Sequence, residues 1–280
     1  MPELAEVEFY RKQWNAGLGR RVIRVRVHER ARVFRGCRVG ALARALSGAT
    51  LRSSAAAAKL MLFRFSGRRW LGLHLGMSGA LRTENAGFTP GPHDHLVLVQ
   101  PGRCLVFSDP RMFGRVRFST GAHPPPWWTR LPPSVLSDSF TVEAIATFFR
   151  RHQRSPVKAV LLMQDRFPGI GNWMADEILW RAAVHPARLA GSLSRAETAT
   201  LWRECRRICR VALAVIAGHG RSTPSALNVR IPDTWLFNHR WEDGGRCPRT
   251  GVPLVREMIG GRTTCWSPAR QRPRADPCQL

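Results

Sequence analysis

The apolar residues of this chain change their period twice. From Pro2 to about Trp14, Leu4, Val7, Phe9, Tyr10 and Trp14 recur at a roughly helical spacing, with Glu3, Glu6 and Glu8 near the positive end of the helix dipole. The period then drops to two. Arg21–His28 sets Val22, Ile23, Val25 and Val27 among arginines and predicts a strand. A second strand is expected where Lys59 follows four alanines and opens Leu60–Phe65, and further strands over Trp70–Leu75, Leu96–Val99 and Cys104–Phe107, with glycine-containing turns between them. Short strands at regular spacing indicate a sandwich or barrel.

His123-Pro124-Pro125-Pro126-Trp127-Trp128 and Pro132-Pro133 interrupt this pattern and read as a linker. Helical spacing then returns. Thr141–His152 carries Val142, Ile145, Phe148 and Phe149 on one face, and Ser155-Pro156 reads as the cap and first position of a helix over Val157–Gln164. Asn172–Val184 predicts another helix, and Ser194-Arg195-Ala196-Glu197 is a capping box opening a long one to about Ala217. Towards the end, Val252–Arg256 and Arg262–Trp266 predict a hairpin around Gly260-Gly261. The expected fold is therefore α+β. A β-rich domain headed by a helix spans 1–122, a linker 123–140, a helical domain 141–225 and a hairpin module 226–280.

Composition narrows the partner. Formal net charge is +25, with 44 basic against 19 acidic residues, so a polyanion is the natural ligand. Nucleic acid fits better than a membrane, because no basic amphipathic anchor stands out and no run reaches transmembrane length. With no signal-peptide layout, the expectation is a soluble cytoplasmic protein. Seven cysteines without regular spacing argue for reduced thiols. Of the basic residues only Lys12, Lys59 and Lys158 are lysines. Arginine serves well for phosphate contacts, so the three survivors ask for a reason.

Candidate chemistry begins at the N-terminus. Proline in second place permits removal of Met1, which would leave Pro2 as a secondary amine, a nucleophile able to form an iminium with a sugar C1′. Glu3 is then within reach as acid or base. Taken alone, the same residues are better read as the start of a helix. Pro168-Gly169-Ile170-Gly171-Asn172 lies between two predicted helices, where glycines allow backbone N–H groups close to a phosphate and Asn172 adds a donor on the positive end of a dipole. Alone, it would be an ordinary helix–turn–helix corner. On composition, Lys59 would be a solvated lysine, Met77 and Phe113 core residues and Arg111 a surface charge. His93 and His95 would suit a metal, but no carboxylate or cysteine cluster supports one.

Taken together, these stretches resemble the formamidopyrimidine-DNA glycosylase/endonuclease VIII family. The resemblance rests on Met1-Pro2-Glu3-Leu4-Ala5-Glu6, on Lys59 before Leu60-Met61-Leu62-Phe63, on His74-Leu75-Gly76-Met77-Ser78-Gly79, on Asp109-Pro110-Arg111-Met112-Phe113-Gly114, and on Gln164-Asp165 through Pro168-Gly169-Ile170-Gly171-Asn172 to Glu177 and His185-Pro186. It implies an N-terminal β-sandwich with a catalytic N-terminal helix, a helix–two-turns–helix domain and a C-terminal β-hairpin finger. It also implies a bifunctional DNA glycosylase/AP lyase acting on oxidised bases in damaged double-stranded DNA. By it Pro2 is the Schiff-base nucleophile and Glu3 its acid–base partner, with Glu6 and Glu177 supporting the pocket. Lys59 and Arg262 serve elimination and the phosphates. His93, Lys158 and Asn172 serve backbone binding, and Met77, Arg111 and Phe113 fill the gap left by an everted nucleotide.

The chain departs from the family in several places. Ala5 replaces a proline, and Gly218–Arg240, the stretch that would cap a flipped base, matches little. The two Cys-x2-Cys pairs of the family's zinc finger become Cys247, Thr250, Ser267 and Arg270. With one thiolate kept, no zinc and no other cofactor is expected, and packing of Val252, Leu254, Met258 and Trp266 should hold the finger. Cys265 and Cys278 are conceivable substitutes. A monomer is expected. The alternative is a damage-binding protein that kept the fold without the chemistry.

Overall fold

The computed structural model describes residues 1–220 and 222–272. It divides into two compact units: Met1–Leu131 joined by Ile216–Leu227, and Pro132–Val215 joined by the chain from Asn228 on.

The first unit opens with helix α1 (Leu4–Gln13), followed by strand β1 (Arg24–Val27), helix α2 (Val39–Leu46) and strands β2 (Leu51–Ala57), β3 (Leu60–Phe65), β4 (Arg69–His74), β5 (Ala80–Asn85), β6 (Asp94–Gln100), β7 (Arg103–Ser108) and β8 (Arg115–Thr120). All pairings are antiparallel, in two four-stranded sheets ordered β1-β6-β7-β5 and β2-β3-β4-β8. One apolar cluster joins them: Met61, Phe63, Leu71 and Leu73 from one sheet meet Leu81, Leu96, Leu98, Leu105 and Phe107 from the other, with Val7 and Trp14 of α1 and Leu42 and Leu46 of α2. This is a β-sandwich with its first helix sealed into the core. The Trp14 indole donates to Val106 O at 3.3 Å, so the end of α1 is fixed to β7.

Several local expectations shift. Strand β1 is shorter than Arg21–His28, because Arg21 turns aside to bridge Thr50. Lys59 does not open a strand: Ala57 pairs with Leu60, leaving Ala58 and Lys59 as a two-residue turn in which Ala58 takes φ 54°.

The second unit follows a short helix α3 (Pro126–Thr129) and contains α4 (Val142–Arg151), α5 (Val157–Leu161), α6 (Asn172–Ala182), α7 (Arg195–Ala212) and the hairpin β9 (Val255–Ile259)–β10 (Arg262–Trp266). Thr141 caps α4, and Ser194 with Glu197 forms the capping box of α7. Pro156, not Ser155, occupies the N-cap of α5, which stops after five residues. Beyond Ala212 the last helix widens into a π turn over Leu213–Ala217. Strand β9 lies three residues later than expected. The Gly260-Gly261 turn, with φ 60° and 74°, pairs Ile259 with Arg262 and so fixes the register.

The expected 226–280 module shares its interior with the helices. Trp180 of α6 packs with Leu236, Cys247, Leu254 and Cys265 in one buried cluster. Of the four residues expected to hold the finger, Leu254 and Trp266 are buried, whereas Val252 and Met258 are exposed. The interior of the hairpin is filled instead by Trp180, Leu236, Cys247, Leu254 and Cys265.

Candidate active site and nucleic-acid interface

In the first unit, α1 presents the candidate nucleophile at its start. Glu3 is the N-cap residue, and its amide donates to Glu6 Oε2 at 2.7 Å. Both carboxylates are buried and Pro2 is half-buried. Acid groups at the first turn face the positive end of the dipole, a favourable placement for them.

Lys59 sits in the β2–β3 turn, and the residue after it, Leu60, pairs with His74 across the sheet. The His74 ring is held below its ordinary pKa by burial first, then by the nearby Lys59, Arg117 and Arg35 charges. That environment favours the neutral ring, whose Nδ1 accepts the Gly76 N–H at 3.1 Å. Gly76 has φ 62°, and a Cβ there would stand 2.4 Å from the Gly114 nitrogen. The two loops carrying Met77 and Phe113 thus touch through backbone, which only glycine permits.

Asp109, wholly buried, joins these loops. Its carboxylate accepts from Ser78 Oγ at 2.7 Å and from the Gly114 N–H at 2.6 Å. Its own amide donates to His93 O at 3.0 Å, and its carbonyl lies 2.9 Å from His95 Nε2. On this base Met77 and Phe113 stand out at 43% exposure each, with the Arg111 guanidinium 4.9 Å from the Phe113 ring centre. Exposed apolar side chains at a loop tip beside an arginine suit insertion into a base stack better than core packing. His93 is exposed and His95 buried.

In the second unit, Gln164 shapes the glycine loop: its amide donates to Leu162 O and Ile170 O, both at 2.8 Å, and accepts from Gly169 N at 3.1 Å. Asn172 begins α6 and donates through Nδ2 to Thr263 O at 2.8 Å. Its neighbour in the hairpin, Arg262, is exposed. The tip of the hairpin is seated on α5, since a Cβ on Gly260 would meet Ala159 Cβ at 2.7 Å.

Lys158 is wholly buried and presents no ammonium to solvent. It donates to Asn172 O at 2.6 Å and pairs with Asp176. Asp176 also pairs with Arg240 and accepts the Cys265 N–H at 3.1 Å. One carboxylate thus ties α5, α6, the 240 segment and β10. Glu177 is buried beside it, bonded to Arg181 Nε at 2.7 Å and to Phe237 N at 3.3 Å. Burial raises its pKa, against the opposing pull of Arg181 and those amides.

The finger residues do not fit a zinc ion. Around Cys247 stand Thr250, Ser267 and the Trp180 indole, whose Nε1 lies 3.4 Å from the sulfur. Among the described residues no group of three or more His, Cys, Asp or Glu is placed to hold a metal. Cys278 lies outside the described residues. Six cysteines, Cys247 and Cys265 among them, are free thiols.

The chain matches the formamidopyrimidine-DNA glycosylase N-terminal domain over residues 1–116 and the H2TH domain of the same enzymes over 131–223. A formamidopyrimidine-DNA glycosylase of Roseiflexus sp. (strain RS-1) is 34% identical over 97% of this chain and 100% of its own length. The chain belongs to the formamidopyrimidine-DNA glycosylase family. A relative of the same name from Thermus thermophilus is 36% identical over 97% of this chain and 98% of its own. Among solved structures, that of wild-type Lactococcus lactis Fpg with DNA containing an oxidised pyrimidine superposes with a TM-score of 0.84 at 24% identity, covering 97% of this chain and 100% of that one. The glycosylase fold is therefore present in full: sandwich, helix–two-turns–helix and hairpin.

The motifs located Pro2, Glu3, Lys59, Met77, His93, Arg111, Phe113, Asn172 and Arg262 as residues. They assigned no role to Asp109, which holds Ser78 and Gly114, or to Asp176, which pairs with Lys158 and Arg240. A signal existed in each case, an acid inside a motif, where an unpaired buried charge would be costly.

Proposed function

We infer that the DNA glycosylase and AP lyase activity of this chain runs through the secondary amine of Pro2, freed by removal of Met1, on damaged double-stranded DNA. The amine attacks C1′ of an everted nucleotide. The glycosidic bond breaks, its electron pair leaves with the base, and the base takes up a proton. Glu3 protonates O4′ as the sugar ring opens, leaving an iminium between Pro2 and C1′. That cation acidifies the C2′ proton. Its removal expels the 3′ phosphate, and water releases the sugar remnant from Pro2.

The observation that carries this reading is the start of α1, where Glu3 is buried beside Pro2 with its amide held by Glu6. Binding alone would need neither a secondary amine nor a buried acid next to it. Lys59 and Arg262 steady the departing phosphates. His93 and Asn172 hold the backbone, and Lys158 acts through the Asn172 carbonyl. Glu6 and Glu177 support the pocket, while Met77, Arg111 and Phe113 occupy the vacated stack. The protein works as a cytoplasmic monomer and needs no metal; among the described residues no helix is long and apolar enough to cross a membrane.

Borohydride reduction in the presence of an abasic duplex tests this. A stable adduct should form and map by peptide analysis to Pro2, and an N-terminal extension should abolish it. An adduct on Lys59, or none with a free Pro2, would overturn the mechanism.

A further inference from the structure

Lys59 stands at one end of β3; at the other end, arginines occupy two positions where the backbone is irregular. Ser66-Gly67-Arg68 joins β3 to β4, and Arg68 takes φ 58°, a conformation that glycine or asparagine adopts more readily. Beside it the register of β2 on β3 shifts between Leu51 and Ser53, which makes Arg52 the extra residue of a β-bulge. Such bulges re-aim a side chain. Arg64 of β3 lies with its guanidinium carbon 5.6 Å from the centre of the Trp70 ring, its partner across the sheet. The turn is fixed in place: Arg69 Nη1 donates to Ser66 O at 3.1 Å, and Arg68 O accepts the Gly121 N–H at 2.9 Å. Arg52, Arg64 and Arg68 surround a hollow of about 390 Å³ whose remaining lining is Phe65, Ser66 and Gly67, with no carboxylate. All three arginines are exposed. Among the described residues none of them has an ion-pair partner, whereas Arg82, Arg181 and Arg240 are each paired within the fold.

We propose that this hollow is a second DNA-binding site, which takes a backbone phosphate of a duplex segment other than the one under repair and lets the protein pass directly from one segment to the next. Guanidiniums hold phosphate through paired N–H groups. Three of them on one rim, with no acid to compete, suit a duplex that carries one charge per about 1.7 Å of its axis. The inference takes from the proposed function only the placing of the lesion at the Lys59 end. From Leu60 to Phe65, β3 runs about 17 Å at about 3.4 Å per residue. A duplex held across one end of the strand therefore leaves the other end open to a second, and neither excision nor elimination draws on these three arginines.

A competitor chase tests this. A labelled duplex bearing a tetrahydrofuran abasic analogue, which has no C1′ for the amine to capture, is bound to the protein and chased with rising concentrations of unlabelled, undamaged duplex. Release should quicken in proportion to the chase, because the second segment is gripped before the first is let go. In the triple variant Arg52→Gln, Arg64→Gln, Arg68→Gln that acceleration should fall at least about 10-fold, as three phosphate contacts are lost. Single-turnover cleavage of a lesion-bearing duplex should stay within about twofold of wild type. Arg68→Gly carries the test should the triple variant fold poorly: glycine suits φ 58°, so the thermal midpoint should hold while the acceleration drops about 2- to 4-fold, the share of one contact. Release that ignores the chase in wild type, an acceleration that both variants keep in full, or one driven by single-stranded RNA and not by duplex would overturn the proposal. Wild-type protein that never cuts a lesion-bearing duplex would instead overturn the Pro2 reading, on which the chase, a measurement of binding alone, does not depend.

Discussion

Cys247 gives the sharpest quantitative test of how this finger holds together. Its thiol is buried, which by itself would push the pKa up. Donation from the Thr250 and Ser267 hydroxyls, the Arg249 backbone and the Trp180 indole outweighs burial and brings it from 9.0 down to about 7. Each tenfold change in acidity is worth about 1.4 kcal/mol, so the fall corresponds to a stabilisation on the order of 2–3 kcal/mol when the thiolate is fully formed. The sign follows from the direction. A depressed pKa means that the unfolded chain binds the proton more tightly, so the contribution is fully present above about pH 9 and disappears as pH falls through about 7. Cys247→Ala removes the titration and leaves a cavity whose cost does not depend on pH. Urea unfolding of both proteins at several pH values between about 6 and 9.5 would give the stability difference as a curve, other groups cancelling. That difference should grow towards high pH by the amount above. A flat difference would refute the reasoning, as would one that grows towards low pH. Cys265 is the internal contrast: burial, and then the Asp176 charge, push it up to about 12, so it stays neutral throughout.

Asp176→Asn leaves Lys158 and Arg240 buried without their shared counter-charge and should destabilise the second unit by about 3–5 kcal/mol, read by denaturant unfolding. Asn172→Ala should weaken binding to all duplex sequences about equally while leaving the salt dependence of affinity unchanged, because a neutral amide releases no counterion; fluorescence anisotropy across a salt series would show it. Gly76→Ala forces a side chain into the Gly114 backbone at a positive φ and should cost about 1–3 kcal/mol. It should also reduce base excision by displacing Met77 from Phe113, as measured by strand cleavage of a lesion-bearing duplex. A strong chelator should leave excision unchanged, whereas Arg262→Ala should impair cleavage with the thermal unfolding midpoint intact.

Elements whose boundaries are written in local chemistry were legible from the sequence. The capping box at Ser194 and the Gly260-Gly261 turn each act within four residues. Helix α2 escaped notice because Val39, Leu42 and Leu46 carry its apolar face with no capping residue before them. Strands β5 and β8 were obscured by Arg82, Arg115 and Arg117, which break the apolar alternation. Arg82 is accommodated in its strand by ion pairs with Glu84 and Asp94. In the candidate site, the residues assigned to DNA lie in motifs and could be found by their neighbours in sequence. The partners of Asp176 and Lys12 could not. Asp176 meets partners at 158, 240 and 265, and Lys12 meets carbonyls at 217, 218 and 222, so their purpose exists only once the chain has folded.

A finger clasped by a metal is a cassette: its ligands make it fold wherever it is placed. The hairpin here is not one. Its interior is completed by Trp180, a residue of the helix that Asn172 begins, and by Leu236 from the segment leading to it. Cutting the chain before the hairpin would uncover an indole in the middle of that helix, and grafting the hairpin elsewhere would leave it without a core.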